Sequence, residues 1–135
     1  MTSIAWDASY SVNIAKIDQQ HQKIVAMFKK LSGAIKRKNQ ERIIPEVLRE
    51  LDEYAEDHFN TEERLMRRHG YPDYETHKKE HDDFCLKVSV MYQDLMSGRK
   101  TVTDETLGFL EHWFLEHVKK TDKKYGPFLN AQGIF

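Results

Sequence analysis

Histidines and carboxylates recur along this chain at spacings that gather them on helix faces. His58 and Glu62 are four residues apart, and so are His77 and His81. On a helix of 3.6 residues per turn such a pair projects from one face and can direct two donor atoms at a common point. Between the two pairs, Gly70, Tyr71 and Pro72 break the helical pattern and send the chain back, which sets the pairs on adjacent antiparallel helices. A lone HxxxH on a solvated face would carry little, but with HxxxE on the neighbouring helix the arrangement is what a metal site inside a bundle requires. His21 and His117 stand on two further apolar stripes, and Asp122 follows His117 by five residues. The candidate metal ligands are therefore His21, His58, Glu62, His77, His81, His117 and Asp122.

Every donor in this set is an imidazole nitrogen or a carboxylate oxygen. With no thiolate, iron–sulfur clusters and structural zinc are disfavoured, and iron, manganese or zinc suits the set. A single buried histidine is usually a hydrogen-bonded core residue, but five of them with two carboxylates are costly. Each would forfeit on the order of 1 to 3 kcal/mol if left without a partner, and a metal supplies the partner. Seven protein ligands are too many for one ion and fit two ions bridged by the two carboxylates. Two divalent cations against two carboxylates leave positive charge over, so a bridging hydroxide is expected as well. The glutamate and ExxH pattern of ferritin-like di-iron enzymes is absent. One member of the set is awkward: five residues place Asp122 about 140° from His117 on an ideal α-helix. Either the helix loosens there into a π-type turn, or Asp122 approaches from a helix without ideal geometry.

These residues have to be positioned by helices, and the apolar periodicity supplies them. Asp18 is expected to cap a first helix running to about Lys38, with His21, Ile24, Val25, Phe28, Leu31 and Ile35 on one stripe. After a turn at Asn39, a second helix starts between Glu41 and Pro45, since proline is tolerated only in a first turn, and it stops at Gly70. Its inward stripe includes Val47, Leu48, Leu51, Tyr54, Ala55, His58, Phe59, Glu62, Leu65 and Met66. A third helix spans about Asp73 to Met96, with His77, His81, Phe84, Val88, Tyr92 and Leu95 inward. Thr103 or Asp104 caps the fourth, which turns Leu107, Leu110, Trp113, Phe114, His117 and Val118 inward until Gly126 and Pro127 stop it. Short connections between helices of this length predict an all-α, up-down-up-down antiparallel four-helix bundle. The expected organisation is one domain over 1–135: an N-terminal arm over 1–17, the bundle over 18–125 and a C-terminal tail over 126–135.

At 135 residues the chain can bury a core without disulfides. A formal net charge of −1, from 21 basic and 22 acidic residues, gives no sign excess for holding nucleic acid or an anionic membrane. The basic and acidic runs fall at helix ends where the macrodipole favours them. Met1 to Trp6 lack a basic, apolar leader, and no apolar run approaches the roughly 20 residues of a membrane helix. With Cys85 as the single cysteine, a reducing, cytoplasmic setting is expected. Four polar residues are set aside: His69 and His112 as solvated side chains, Cys85 as a small core hydrophobe, and Glu63 as a surface residue facing away from Glu62.

The ordered set Asp18-Gln19-Gln20-His21, His58-Phe59-Asn60-Thr61-Glu62-Glu63, Gly70-Tyr71-Pro72, His77 with His81, Trp113 with His117, and Asp122 resembles the hemerythrins, specifically the single-domain bacterial type. The resemblance spans about Trp6 to Tyr125. It implies two non-haem iron ions (Fe2+/Fe3+), with a bridging hydroxide or oxide, that bind O2 reversibly. By matching motif positions, His77, His81 and His117 would hold one iron, filled to six-coordinate. His21 and His58 would hold the other and leave it one open position, while Glu62 and Asp122 would bridge. Ile24, Phe28, Phe59, Trp113 and Phe114 would keep the site dry. The expected function is O2 carriage, storage or scavenging by a monomer that is not an enzyme. Its partners are O2 and an O2-consuming enzyme. Two alternatives stand beside it: an O2 or redox sensor acting through a separate signalling partner, and a di-iron peroxidase or nitric oxide reductase-like enzyme.

Overall fold

The computed structural model describes residues 4–37 and 42–135. The described chain enters as an arm with a 3-10 turn at Ala8–Tyr10 and then forms α1 (Ala15–Lys36), α2 (Ile44–Arg68), α3 (Tyr74–Met96) and α4 (Asp104–Glu116). A π turn over His117–Asp122 joins α4 to a final helix, α5 (Lys123–Ala131). α2 lies against both α1 and α3, and α1 against α4, giving the all-α antiparallel bundle that the periodicity predicts. The expected end of the first helix at Lys38, the turn at Asn39 and a helix start at Glu41 lie outside the described residues. Among the described residues no helix is long and apolar enough to cross a membrane.

The apolar residues form two clusters, and the order in which each helix visits them fixes where the polar residues go. The larger cluster contains Ile24, Phe28, Phe59, Phe84, Phe114 and Val118. The smaller contains Val12, Ile14, Ile17, Met66, Tyr71, Tyr125 and Leu129. Along α1, His21 falls between Ile17 and Ile24; along α2, Glu62 falls between Phe59 and Met66. His77 and His81 lie between Tyr71 and Phe84, and Asp122 between Val118 and Tyr125. α1, α2, α3 and the π turn therefore carry their polar residues through one layer, closed above and below by hydrocarbon.

Two helix boundaries differ from expectation, for identifiable reasons. α1 begins at Ala15 with Ile14 as its N-cap and no side-chain cap, a turn before Asp18. Asp18 instead accepts from the Ser11 hydroxyl at 2.5 Å and the Val12 backbone N–H at 2.9 Å, so it ties the arm to the first turn. Gly126 and Pro127 do not end the last helix, which continues to Ala131 with Tyr125, Gly126 and Leu129 buried. A proline inside a helix costs about 3 kcal/mol of ladder and steric energy. Here burial of Tyr125 and Leu129 in the smaller cluster outweighs it. Gly126 is needed for proximity: a Cβ there would stand 2.7 Å from the Val12 carbonyl oxygen. Gly126→Ala is expected to push the arm off α5 and to cost about 1 to 3 kcal/mol of stability, read as a lower urea midpoint. The turns behave as predicted. Gly70 takes φ +69° after α2, a left-handed conformation that suits glycine, and Thr103 caps α4 in a reciprocal pair with Thr106.

Candidate metal centre

All seven predicted donors are buried and meet in the polar layer. Asp122 Oδ1 lies 2.8 Å from His77 Nε2 and 2.9 Å from His117 Nε2, and its Oδ2 lies 3.1 Å from His21 Nε2. Glu62 Oε1 lies 3.2 Å from both His58 Nε2 and His81 Nε2. The π turn makes the Asp122 contacts achievable, because its i→i+5 ladder brings His117 and Asp122 onto one face where an α-helix would set them apart. One of the two routes open to Asp122 in the sequence is thus the one the chain takes.

The atoms at the centre of this cluster do not satisfy one another. Nε2 of His21, His58 and His77, Oε1 of Glu62 and both oxygens of Asp122 are buried without a hydrogen bond, despite separations near 3 Å. They point at shared space between them and not along donor–acceptor lines. His81 and His117 give the same indication from their outer nitrogens. Nδ1 of His81 is 2.8 Å from a Glu63 carboxylate oxygen, and Nδ1 of His117 is 2.8 Å from one of Glu80. In the neutral rings these contacts place the protons on Nδ1, so the Nε2 lone pairs face one another only 3.1 Å apart unless a further proton or a cation lies between them. Converging lone pairs and carboxylates call for cations, so the residues present fit a metal centre.

The donors fall into two groups whose ligand atoms lie within 4.8 Å of one another. One comprises Glu62, His77, His81, His117 and Asp122, and the other His21, His58, Glu62 and Asp122. Both carboxylates belong to both groups. A family model described as the hemerythrin HHE cation binding domain matches residues 12–129. The chain belongs to the hemerythrin family. It is 33% identical to a bacteriohemerythrin of Methylococcus capsulatus, over 97% of this chain and all of the relative. It is also 32% identical to a myohemerythrin of Theromyzon tessulatum, over 89% of this chain and 88% of that one. A solved structure of wild-type hemerythrin superposes with a TM-score of 0.87 at 31% identity, covering 93% of this chain and 97% of its own.

Several supporting residues of this hemerythrin domain were not foreseen. Glu63, expected at the surface, is mostly buried against His81. Glu80 holds His117 together with the Thr121 hydroxyl, and Gln20 Oε1 lies 2.6 Å from His58 Nδ1. The buried Tyr125 hydroxyl donates to Glu62 Oε2, and its ring stacks against His77 at 5.4 Å between centroids. Phe59 stacks on His81 at 4.0 Å and Trp113 on His117 at 5.0 Å. Those two aromatics therefore back the three-histidine group, while Phe114 meets His21 edge-on at 5.8 Å. His69 is the C-cap of α2, His112 is exposed, and Cys85 is half-buried, its thiol pushed up to about 12 chiefly by burial.

Without metal, protons take the cations' place. Burial pulls the His21 and His117 imidazolium forms down, but the carboxylates beside them prevail and raise the two groups to about 9 and about 10. Burial likewise opposes charge on Glu62 and Asp122, yet the surrounding imidazoles hold both well below the usual carboxylate range. A raised histidine contributes stability that is complete below its unfolded value of about 6.5 and is lost as pH climbs through the folded value. The depressed carboxylates contribute above their ordinary values and lose that contribution as pH falls. Metal-free protein is therefore expected to melt at progressively lower temperature from pH 6.5 to pH 10, by more than about 5 °C. Metal ions must displace these protons, so metal uptake is expected to strengthen over the same range, as calorimetric titrations would record.

Proposed function

We propose that this hemerythrin-family protein binds O2 reversibly at a non-haem di-iron centre and serves as an O2 carrier, store or scavenger. The observation that carries the reading is the sharing of Glu62 and Asp122 by two otherwise separate histidine groups. His77, His81 and His117 would hold one iron, His21 and His58 the other, and the two carboxylates would bridge, with a hydroxide or oxide completing the bridge. When bound, the iron pair supplies reversible two-electron exchange with O2.

The chain's own residues account for the rest. Imidazoles outnumber carboxylates in the set, which leaves the ions less shielded by negative charge and favours reversible binding over deep oxidation of a substrate. Ile24, Phe28 and Phe114 close the layer with hydrocarbon on the side of the larger cluster and keep bulk water away. Tyr125 fixes the orientation of Glu62 by donating its hydroxyl proton, and burial beside that carboxylate keeps the phenol protonated. This makes the protein a binding protein and not an enzyme, with O2 as ligand and an O2-consuming enzyme as recipient. With Cys85 as the single cysteine no internal disulfide can form, which supports a reducing, cytoplasmic setting.

The test is the visible spectrum of iron-loaded, reduced protein before and after air, followed by argon. Charge-transfer bands that appear with O2 and vanish on its removal are expected. Bands that persist until a reductant is added would overturn reversible binding in favour of an O2 or redox sensor or a peroxidase-like enzyme.

A further inference from the structure

Three of the five histidines have an outer hydrogen bond at Nδ1, and these are unequal in charge: the two that rest on carboxylates both belong to the three-histidine group. In the three-histidine group, His81 and His117 each place Nδ1 on a carboxylate, Glu63 and Glu80, at 2.8 Å. In the two-histidine group, His58 meets the neutral amide oxygen of Gln20 at 2.6 Å. Nδ1 of His21 and Nδ1 of His77 are buried without a hydrogen-bond partner among the described residues. The three residues at issue come from three helices, with Gln20 on α1, Glu63 on α2 and Glu80 on α3. The asymmetry is therefore built by the packing and does not follow from any local motif.

Resting on the di-iron reading above, we propose that Glu63 and Glu80 are positioning residues that tune the three-histidine iron toward its ferric form, while Gln20 leaves the O2-binding iron untuned. A carboxylate accepting the Nδ1 proton gives the imidazole imidazolate character and makes Nε2 a stronger donor, which stabilises the higher charge of Fe3+ over Fe2+. A neutral amide orients the ring but adds no charge. On that reading the iron that His77, His81 and His117 would hold would have no open position and would contribute only an electron, and easier oxidation there would assist O2 binding. The iron that His21 and His58 would hold would supply the other electron and the open position.

The two carboxylates are not equivalent. The Glu63 side chain is 11% exposed, on the wall of a cleft of about 360 Å³ that it shares with His81, Phe59 and Cys85. The Glu80 side chain is 39% exposed in a second cleft of about 320 Å³, so solvent and salt screen its charge more strongly. Glu63 is therefore the stronger of the two.

The experiment is the reduction potential of the full-length iron-loaded protein by spectroelectrochemistry, with the rate of oxidation in air measured alongside. Wild type is compared with Glu63→Gln, Glu80→Gln, the double variant, Glu63→Asp and Gln20→Glu. Glutamine preserves the hydrogen bond and removes only the charge. Potentials should rise for Glu63→Gln, less for Glu80→Gln and most for the double variant, whose oxidation in air should slow by about tenfold or more. Glu63→Asp, which keeps the charge but is one methylene short of the 2.8 Å contact, should fall between wild type and Glu63→Gln. Gln20→Glu should lower the potential, and it tests the idea even if a glutamine variant fails to hold iron. Unchanged potentials in variants that retain wild-type iron content would overturn the tuning role and leave Glu63 and Glu80 as orienting groups. A wild-type protein that never takes up two irons per chain would instead overturn the di-iron reading itself, before any variant is compared.

Discussion

Glu62→Gln is expected to reduce bound iron from two ions per chain to fewer than one after dialysis against a mild chelator. Glu62 Oε1 is equidistant from His58 and His81, one nitrogen from each histidine group, so this carboxylate ties the two halves of the centre together. Glutamine has the same size and keeps an oxygen for the Tyr125 hydroxyl, but its amide nitrogen presents hydrogens where a bridge needs a lone pair. The loss of one negative charge also leaves a larger positive remainder in a fully buried layer. Outer partners of metal ligands typically cost roughly 10- to 100-fold in affinity, and a lost bridge should exceed that range. Near pH 6 the metal-free variant should also be less stable by about 3 to 5 kcal/mol, because the imidazolium at His21 loses a buried counter-charge. Tyr125→Phe is the matching control: it removes the hydroxyl, keeps both carboxylates and should retain both irons. Glu62→Gln protein that still carries two irons would show that Glu62 is not a bridge.

The parts of this centre that were legible in the sequence are those governed by short-range helical geometry. His58 with Glu62, and His77 with His81, announce themselves because 3.6 residues per turn makes an i,i+4 pair adjacent whatever surrounds the helix. The four apolar stripes do the same for the bundle, and each stripe carries its own histidine into the core. Glu63 was misplaced by the same rule that placed Glu62. One residue further along, it lies about 100° around α2, and only the position of α3 decides whether that direction meets solvent or His81. Glu80 and Gln20 lie 37 and 38 residues from the histidines they hold, so their roles depend on helix rotations that no local pattern records. Gly126 and Pro127 carry a genuine local stop signal, overridden by the burial of Tyr125 and Leu129. Asp18 carries a genuine capping signal, diverted because the arm folds back and offers its own N–H and hydroxyl.

The spacing of His117 and Asp122 leads to a second large expected effect, with opposite results for adding and removing a residue. Insertion of one alanine between Lys119 and Lys120 should abolish iron binding, whereas deletion of Lys119 should largely preserve it. With the native spacing of five, a continuous α-helix would turn Asp122 about 140° from His117, and the π turn absorbs that error. With six, the offset becomes about 240°, beyond what one widened turn corrects, and Tyr125 and Leu129 rotate out of the smaller cluster with Asp122. With four, the offset falls to about 40°, the relation that already serves His58 and Glu62, and everything after the deletion keeps its face. Lys119 is exposed, so its removal takes nothing from either apolar cluster. The insertion variant is expected to lose stability as well, so iron must be counted per folded chain, with helix content followed by circular dichroism. If the deletion lost iron as completely as the insertion, the π turn itself, with its particular ladder and the Thr121 contact to Glu80, would be what the metal requires. If the deletion retained iron, the π turn would be one solution to a register problem, and the requirement would be only that Asp122 share a face with His117.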